Sequence, residues 1–178
     1  MAKKIIGIFF VFFAASAIFI NSQPSDFRVS RSAEISAPAA VIFSHINNFR
    51  NWGKWSPWAP LDPQAIVEFN GPESGKDAYM RWSGNMEIGT GSMQIIDSRE
   101  NDFINLKLDI EKPIQANNLV EFSIKQEGDK TKVKWEMYGK KDFVGKLMGF
   151  IFNCDKIVGT QFEIGLENLK LISEKNSK

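Results

Sequence analysis

Six segments between Ala65 and Gly139 alternate apolar and polar residues, and this alternation constrains the fold more than any other feature of the chain. A period of two residues is the signature of β-strands that bury one face and expose the other. Short connections separate the segments, and Gly128–Lys130 has the composition of a hairpin turn. Such a succession predicts an antiparallel sheet with one apolar and one solvated face. The segments are "AIVEFN", "DAYMRWS", "IGTGSMQIIDS", "DFINLKLDI", "NLVEFSIKQ" and "TKVKWEMYG".

A seventh strand is predicted ahead of these six, over Phe27–Ser36. Its sequence, "FRVSRSAEIS", alternates in the same way except at Arg31, which falls on the apolar face. An inward-pointing guanidinium would need a buried carboxylate or the head group of a ligand as its partner. A β-bulge or a position at the sheet edge would instead turn the side chain outward, and we favour this second interpretation.

Two short helices are predicted after this strand. Ser36 is a candidate N-cap, and Pro38 suits the first turn of a helix. Trp52 and Trp55 continue the helical spacing, and Trp58 follows among prolines that end any helix. Tryptophans concentrated in one short polar stretch either fill a core or form the wall of an apolar pocket. Both interpretations remain open for Trp52 and Trp55, whereas Trp58 is expected at a rim or exposed.

Near the C-terminus the period of the apolar residues changes from that of a strand to that of a helix. The resulting stripe predicts an amphipathic helix of about five turns, which would cover the apolar face of the sheet. Gly159 and Gly165 within it each cost about 1 kcal/mol relative to alanine, so they indicate close packing on the sheet or room for a ligand. Glu163 and Glu167 are expected on the solvated side. The stripe consists of Val158, Phe162, Leu166, Leu169 and Ile172.

The N-terminus carries an apolar run without charges, Ile5–Ile20, preceded by Lys3 and Lys4. Its length lies between that of a membrane span, about 20 residues, and that of the apolar core of an export signal, about 7–15 residues. We favour an uncleaved membrane anchor, and a signal cleaved near Ala15–Ala17 is the alternative. Residues 1–24 are then an anchor or signal plus linker, and residues 25–178 are the folded domain, which the positive-inside tendency places outside the cytoplasm.

The remaining composition excludes several classes of function. The formal net charge of +1 offers no basic surface for a nucleic acid, so no such partner is expected. With one histidine, His45, and one cysteine, Cys154, the chain lacks the residues of a usual zinc site, and no metal or cofactor is expected. His45 is expected at a helix surface, and Cys154 is expected to be a small buried residue in an apolar environment. No nucleophile motif accompanies His45, so we name no catalytic residue.

The whole pattern, in order, resembles the SRPBCC superfamily, the START-like or polyketide-cyclase-like proteins. The resemblance starts with "FRVSRSAEISAPAAVIFSHINNFRNWGKWSPW" and continues through "WSGN", "GTGSMQI", "TKVKWEMYG" and "GTQFEIGLENLK". It covers nearly all of residues 26–175 and is strongest to the branch known as polyketide cyclases or dehydrases. It implies an α+β helix-grip fold, in which a curved antiparallel sheet of about seven strands wraps around a long C-terminal helix, with two short helices after the first strand.

The resemblance also implies an apolar cavity between the sheet and the helix, occupied by a hydrophobic small molecule or a lipid. A membrane-tethered binding domain is the first hypothesis. A cyclase-like or aromatase-like enzyme is the alternative, and it would require at least two polar side chains that converge in the cavity. A third hypothesis is an interaction protein whose own aromatics fill the cavity. The candidate ligand contacts are Trp52, Trp55, Trp82, Trp135, Phe122, Met93, Phe162, Leu166 and Arg31.

Overall fold

The computed structural model of the protein describes residues 15–151 and 153–175. It has the predicted α+β helix-grip fold, with a seven-stranded sheet that is antiparallel throughout and has the strand order β1-β7-β6-β5-β4-β3-β2. The strands are β1 Asp26–Ile35, β2 Ile66–Asn70, β3 Tyr79–Ser83, β4 Thr90–Arg99, β5 Phe103–Lys112, β6 Ala116–Glu127 and β7 Lys130–Lys140. The α-helices are α1 Ala39–Ile46, α2 Phe143–Ile151 and α3 Cys154–Lys175.

The region after β1 contains the predicted short helices, as the α-helix α1 followed by two 3-10 helices, Phe49–Lys54 and Ala59–Leu61. The predicted capping role of Ser36 is wrong, because α1 begins at Ala39 with Pro38 as its N-cap and without a side-chain cap. The backbone N–H of Ser36 instead donates to Glu174 Oε1 near the C-terminal end of α3, at 2.9 Å.

Most of the predicted apolar run, Ile5–Ile20, lies outside the described residues. The described part of the run belongs to a helical segment, residues 15–22, that leads into β1. Within residues 15–151 and 153–175, none of the helices combines the length and the apolar character needed to cross a bilayer.

The long helix α3 lies on the concave face of the sheet, as the apolar stripe predicts. Phe162, Leu166 and Leu169 are all at most 2% exposed. The ring of Phe162 stacks on that of Trp135 in β7, with centroids 4.1 Å apart and an interplanar angle of 9°. Burying such large apolar side chains stabilises each by about 1.5–3 kcal/mol, and this contact holds the helix against the sheet.

Both glycines of α3 permit close contacts, but with different partners. A Cβ at Gly165 would lie 2.7 Å from Trp135 Cζ3 and 3.0 Å from Pro57 Cδ, both parts of rigid rings. A Cβ at Gly159 would lie 2.0 Å from Arg31 Nη2, which is the end of a flexible side chain. The close packing of α3 predicted from these glycines is therefore present at both positions.

The two glycine positions make a matched pair of predictions. We expect Gly165→Ala to lower the free energy of unfolding by about 1–3 kcal/mol, because the overpacked indole cannot move aside. We expect Gly159→Ala to change it by less than about 1 kcal/mol, because Arg31 can swing into solvent and alanine favours the helix. Urea unfolding of both variants measures the difference, and equal losses would contradict this account of the packing.

Candidate functional site

Aromatic side chains close one half of the concave face. Trp52, Trp55, Phe122, Trp135 and Phe162 are each at most 3% exposed. Ring centroids lie 4.7 Å apart for Trp52 and Trp55, 4.9 Å for Phe122 and Trp135, and 5.6 Å for Trp55 and Trp135. Packing at such distances leaves no free surface on these rings, so this half of the concave face, which we call the closed half, is a filled core.

The polar atoms of two tryptophans explain why the chain places them after α1. Trp52 Nε1 donates to the carbonyl of Ile46 at 2.9 Å, and Trp55 Nε1 donates to the carbonyl of His45 at 3.3 Å. The last carbonyls of a helix have no partner within the helix, and these two indoles supply one. Their N–H groups are thus used to end α1 and are not free to orient a ligand.

Trp135 differs from these tryptophans in its polar atom. Its Nε1 is buried and has no hydrogen-bond partner among the described residues. An unsatisfied buried donor costs about 1–3 kcal/mol, which a water molecule or an acceptor atom of a ligand would recover. Trp135 is therefore the residue of the closed half that retains a polar atom for an interaction.

The other half of the concave face is apolar but only partly covered, and we call it the open half. It consists of side chains that the strand register brings side by side. Met80 lies opposite Met93, and Met93 lies opposite Leu108. Trp82 and Ile110 flank Gly91 in the next row of the sheet. All five apolar side chains are of intermediate exposure, whereas their neighbours in the closed half are buried.

Gly91 allows the open half to be flat at its centre. A Cβ at this position would lie 2.6 Å from Trp82 Cζ2 and 2.6 Å from the carbonyl oxygen of Asp109. The indole of Trp82 therefore lies over the backbone of β4, and its Nε1 donates to the carbonyl of Ile88 at 3.0 Å. A glycine is therefore needed at position 91 because an aromatic ring and the backbone of β5 both come close to it.

Arg31 lies on β1, which is an edge strand of the sheet, as one of the two favoured alternatives expects. The other alternative, a bulge, is wrong, because the register of β1 with β7 is regular and Arg31 falls on the concave face, opposite Trp135. Its Nε donates to Glu163 Oε1 at 2.6 Å, and its Nη1 donates to Asp155 Oδ1 at 3.2 Å. Hydrogen bonds to Asp155 and Glu163 raise the pKa of Arg31 above its usual value, and the larger contribution comes from Asp155. The guanidinium thus fastens the first half of α3 to the sheet, and Glu163 is an ion-pair partner as well as an exposed residue.

His45 is another correction, because the imidazole expected at a helix surface is only 9% exposed. Neither ring nitrogen has a hydrogen-bond partner among the described residues. Burial, with a smaller contribution from the charge of Lys54, lowers the pKa of His45 below its usual value. Cys154, expected in an apolar environment, is only half-buried at the start of α3.

The lowered pKa of His45 makes folding pH-dependent in a defined direction. Just below the ordinary histidine pKa of 6.5, the unfolded chain is protonated at this residue to a greater extent than the folded chain, because the pKa of His45 is lowered by folding. We therefore expect the free energy of unfolding to fall by up to about 1.4 kcal/mol per pH unit as the pH drops below that value. Urea unfolding from about pH 7 to pH 5, above the titration of most carboxylates, measures this. His45→Phe should abolish the slope, and an unchanged slope in that variant would assign it to other groups.

The structure divides the predicted ligand contacts between the two halves. Trp82 and Met93 lie in the open half, whereas Arg31 lies on β1, opposite Trp135 and beside α3. The six others, Trp52, Trp55, Phe122, Trp135, Phe162 and Leu166, lie in the closed half. The ligand-contacting role of all nine stays a prediction, and the open half is where apolar surface is accessible. Trp58, expected at a rim, is half-buried, with its ring centroid 5.9 Å from that of Trp135.

Sequence reasoning left out three residues of the open half, Met80, Leu108 and Ile110. All three occupy the inward-facing positions of their strands, so the alternation of apolar and polar residues was sufficient to predict that they face the concave side. A separate crevice lies outside both halves, between Phe49 and Tyr79, and its volume of about 20 Å³ has room for roughly one water molecule.

The sequence matches no protein-family profile and none of the curated proteins with which it was compared. Solved structures do share its fold. A START superfamily protein from Mycobacterium smegmatis is 19% identical, with a TM-score of 0.59 over 83% of this chain and 97% of that chain. The Aha1 dimer from Colwellia psychrerythraea is 14% identical, with a TM-score of 0.59 over 83% and 96%. CalU16 from Micromonospora echinospora is 15% identical, with a TM-score of 0.52 over 84% of each chain.

Proposed function

We propose that this chain is a membrane-tethered START-like domain that binds a hydrophobic small molecule or a lipid on the open half of its concave face. One observation carries the proposal. Met80, Trp82, Met93, Leu108 and Ile110 point into the concave face and stay half-exposed, although the rest of that face is closely packed. Concave apolar surface with few polar groups is the usual form of a site for an apolar ligand.

The tether follows from the N-terminal sequence. Lys3, Lys4 and the uninterrupted apolar run Ile5–Ile20 favour an anchor whose domain lies outside the cytoplasm. An anchor would keep the open half close to a source of apolar ligands. Secretion after cleavage of a signal near Ala15–Ala17 is the alternative. The mature chain would then keep only the last residues of the apolar run, Ile18–Ile20.

The other two hypotheses fare differently. The interaction-protein hypothesis fits the closed half, which the aromatics do fill, but it leaves the half-exposed residues of the open half without a role. The enzyme hypothesis requires at least two converging polar side chains. Arg31 is engaged by Asp155 and Glu163, and we therefore propose no reaction for this site.

Photo-crosslinking tests the proposal on the full chain in lipid vesicles. A fatty acid bearing a diazirine should label peptides from β3, β4 and β5, and excess unlabelled fatty acid should suppress that labelling. Mass spectrometry should place the adducts on the open half, at Met80, Met93 or Leu108. Labelling that is confined to residues 1–22, or that excess fatty acid does not suppress, would contradict ligand binding at this site.

A further inference from the structure

The two ends of the sheet differ in the residues that they expose. At one end, the connections 71–78, 100–102 and 128–129 contain no large apolar residue. At the other end, where β1 begins and β7 ends, the connection 84–89 carries Met86 at 82% exposure, and the connection 113–115 carries Ile114 at 40%. Among these connections, exposed large apolar side chains therefore lie at one end of the sheet and not at the other.

The helices that adjoin this end are apolar too. In α2, Phe143 is 45% exposed and Val144 is 46% exposed, and in the segment 15–22 Ile18 is 71% exposed. We call Ile18, Met86, Ile114, Phe143 and Val144 together the apolar end. The open half lies in the rows of the sheet nearest to the apolar end. Ile110 pairs with Ala116 and Ser83 pairs with Thr90, and these pairs are the last ones before the connections 113–115 and 84–89.

Two hydrogen bonds bring the N-terminal segment to this same end. The backbone N–H of Lys141 donates to the carbonyl of Ser25 at 2.6 Å, and Lys146 Nζ donates to the carbonyl of Asn21 at 2.7 Å. The apolar run that precedes residue 21 therefore joins the domain beside α2. The run therefore meets the domain where Phe143 and Val144 are exposed, whereas Met86 lies at the same end of the sheet on the connection from β3 to β4.

Charged side chains of both signs border the apolar end. Lys112 and Lys140 are exposed where β5 and β7 end, and Lys141 and Lys146 follow β7 along the chain. The carboxylates at this end belong to Asp26, which pairs with Lys140, to Asp62, which accepts from the backbone N–H of Asn85, to Glu111, which accepts from Arg81, and to Glu87 and Asp142. Exposed apolar side chains bordered by lysines are the combination by which surface helices bind anionic membranes.

We infer that the apolar end docks on the surface of a lipid bilayer, with Met86 and the first turn of α2 inserted among the head groups. The inference rests on the membrane tether of the proposed function and deepens it, because docking at this end turns the open half toward the bilayer. An apolar ligand would then pass between the lipid phase and the open half without crossing water. Insertion of these side chains would remove their apolar surface from solvent.

Depth-dependent quenching tests the inference on the full chain. Cys154→Ser removes the chain's only cysteine, and Met86→Cys or Val144→Cys then carries an environment-sensitive NBD label. Ser74→Cys, in the polar connection 71–78, provides a matched control at the opposite end. In vesicles with about 30 mol% phosphatidylglycerol, brominated phosphatidylcholine should quench the labels at positions 86 and 144 at least about twofold more than the label at 74.

Equal quenching at all three positions would overturn docking through the apolar end. Energy transfer between chains labelled at position 86, without quenching by brominated lipid, would also overturn it and would assign this end to contact between two copies. Fatty-acid crosslinking in the same vesicles separates the two proposals. Crosslinking to the open half without quenching at positions 86 and 144 would support ligand binding and contradict docking. Quenching at those positions without crosslinking would support docking and contradict ligand binding. A chain that does not float with the vesicles would overturn both the docking and the tether.

Discussion

Replacing Trp55 by alanine is expected to lower the free energy of unfolding by about 3–5 kcal/mol, the range for truncation of a large buried aromatic. Trp55 is 1% exposed, and its ring lies against those of Trp52, Trp135 and Phe122. The substitution would open a cavity where the cluster is most closely packed. It would also leave the carbonyl of His45, at the end of α1, without the hydrogen bond from Trp55 Nε1.

Urea unfolding followed by far-UV circular dichroism measures this loss on a chain lacking residues 1–24. Trp58→Ala is the matched control, because Trp58 is the same residue type three positions away but only half-buried. We expect the loss for Trp58→Ala to be less than half of that for Trp55→Ala. Similar losses in both variants would show that the closed half is not the main core of the fold.

Introducing a carboxylate into the open half is expected to abolish most ligand binding. Met93 lies at its centre, between Met80 and Leu108, so the Met93→Glu side chain would point into the surface that an apolar ligand covers. Covering a charge with an apolar molecule costs enough to weaken binding at least about tenfold, or roughly 1.4 kcal/mol. Crosslinking by the diazirine fatty acid, measured over a range of its concentrations, quantifies the change.

Ile96→Glu provides the control for this variant. Ile96 lies on the same strand, is 38% exposed, and is the residue at which the register of β4 with β5 shifts, between Ile95 and Asp97. The same carboxylate at this position should leave crosslinking within about twofold of the unchanged chain, because Ile96 is already exposed to solvent and lies outside the rows of the open half. Equal loss in both variants would mean that the open half is not where the ligand binds.

The alternation of residues was sufficient to predict the strands, because the side-chain period of a strand is local. Met80 and Trp82 face inward and Arg81 faces outward, where it pairs with Glu111 at 2.8 Å, as the pattern indicates. The long helix α3 and its two close-packed glycines were likewise predictable from spacing. These features depend on neighbours within a few residues along the chain.

The division of the concave face into two halves was not predictable in the same way. Met93 and Phe122 are both apolar, inward-facing strand residues, and their environments differ only because α1 and the 3-10 helices cover one and not the other. The partner of Arg31 was missed for the same reason. Asp155 and Glu163 come from α3, more than a hundred residues further along the chain, and no periodicity within β1 indicates which helix residue meets which strand position.

The tryptophan-rich stretch has the first of its two predicted interpretations, since Trp52 and Trp55 are core residues. Their polar atoms satisfy the carbonyls at the end of α1. Because they help to fill the closed half, the accessible apolar surface of the concave face is that of the open half. The role of the stretch as the wall of a ligand pocket stays a prediction.

The central claim is that the open half holds a hydrophobic molecule, and extraction tests it most directly. A chain lacking residues 1–24, purified without detergent, would be extracted with organic solvent, and the extract examined by mass spectrometry beside that of Met93→Glu. We expect one class of hydrophobic molecule, in near-equal molar amount with the protein, to be present in the first extract and absent from the second. An extract without such a molecule, from a chain that is folded, would contradict the claim and leave the fold as a scaffold filled by its own aromatics.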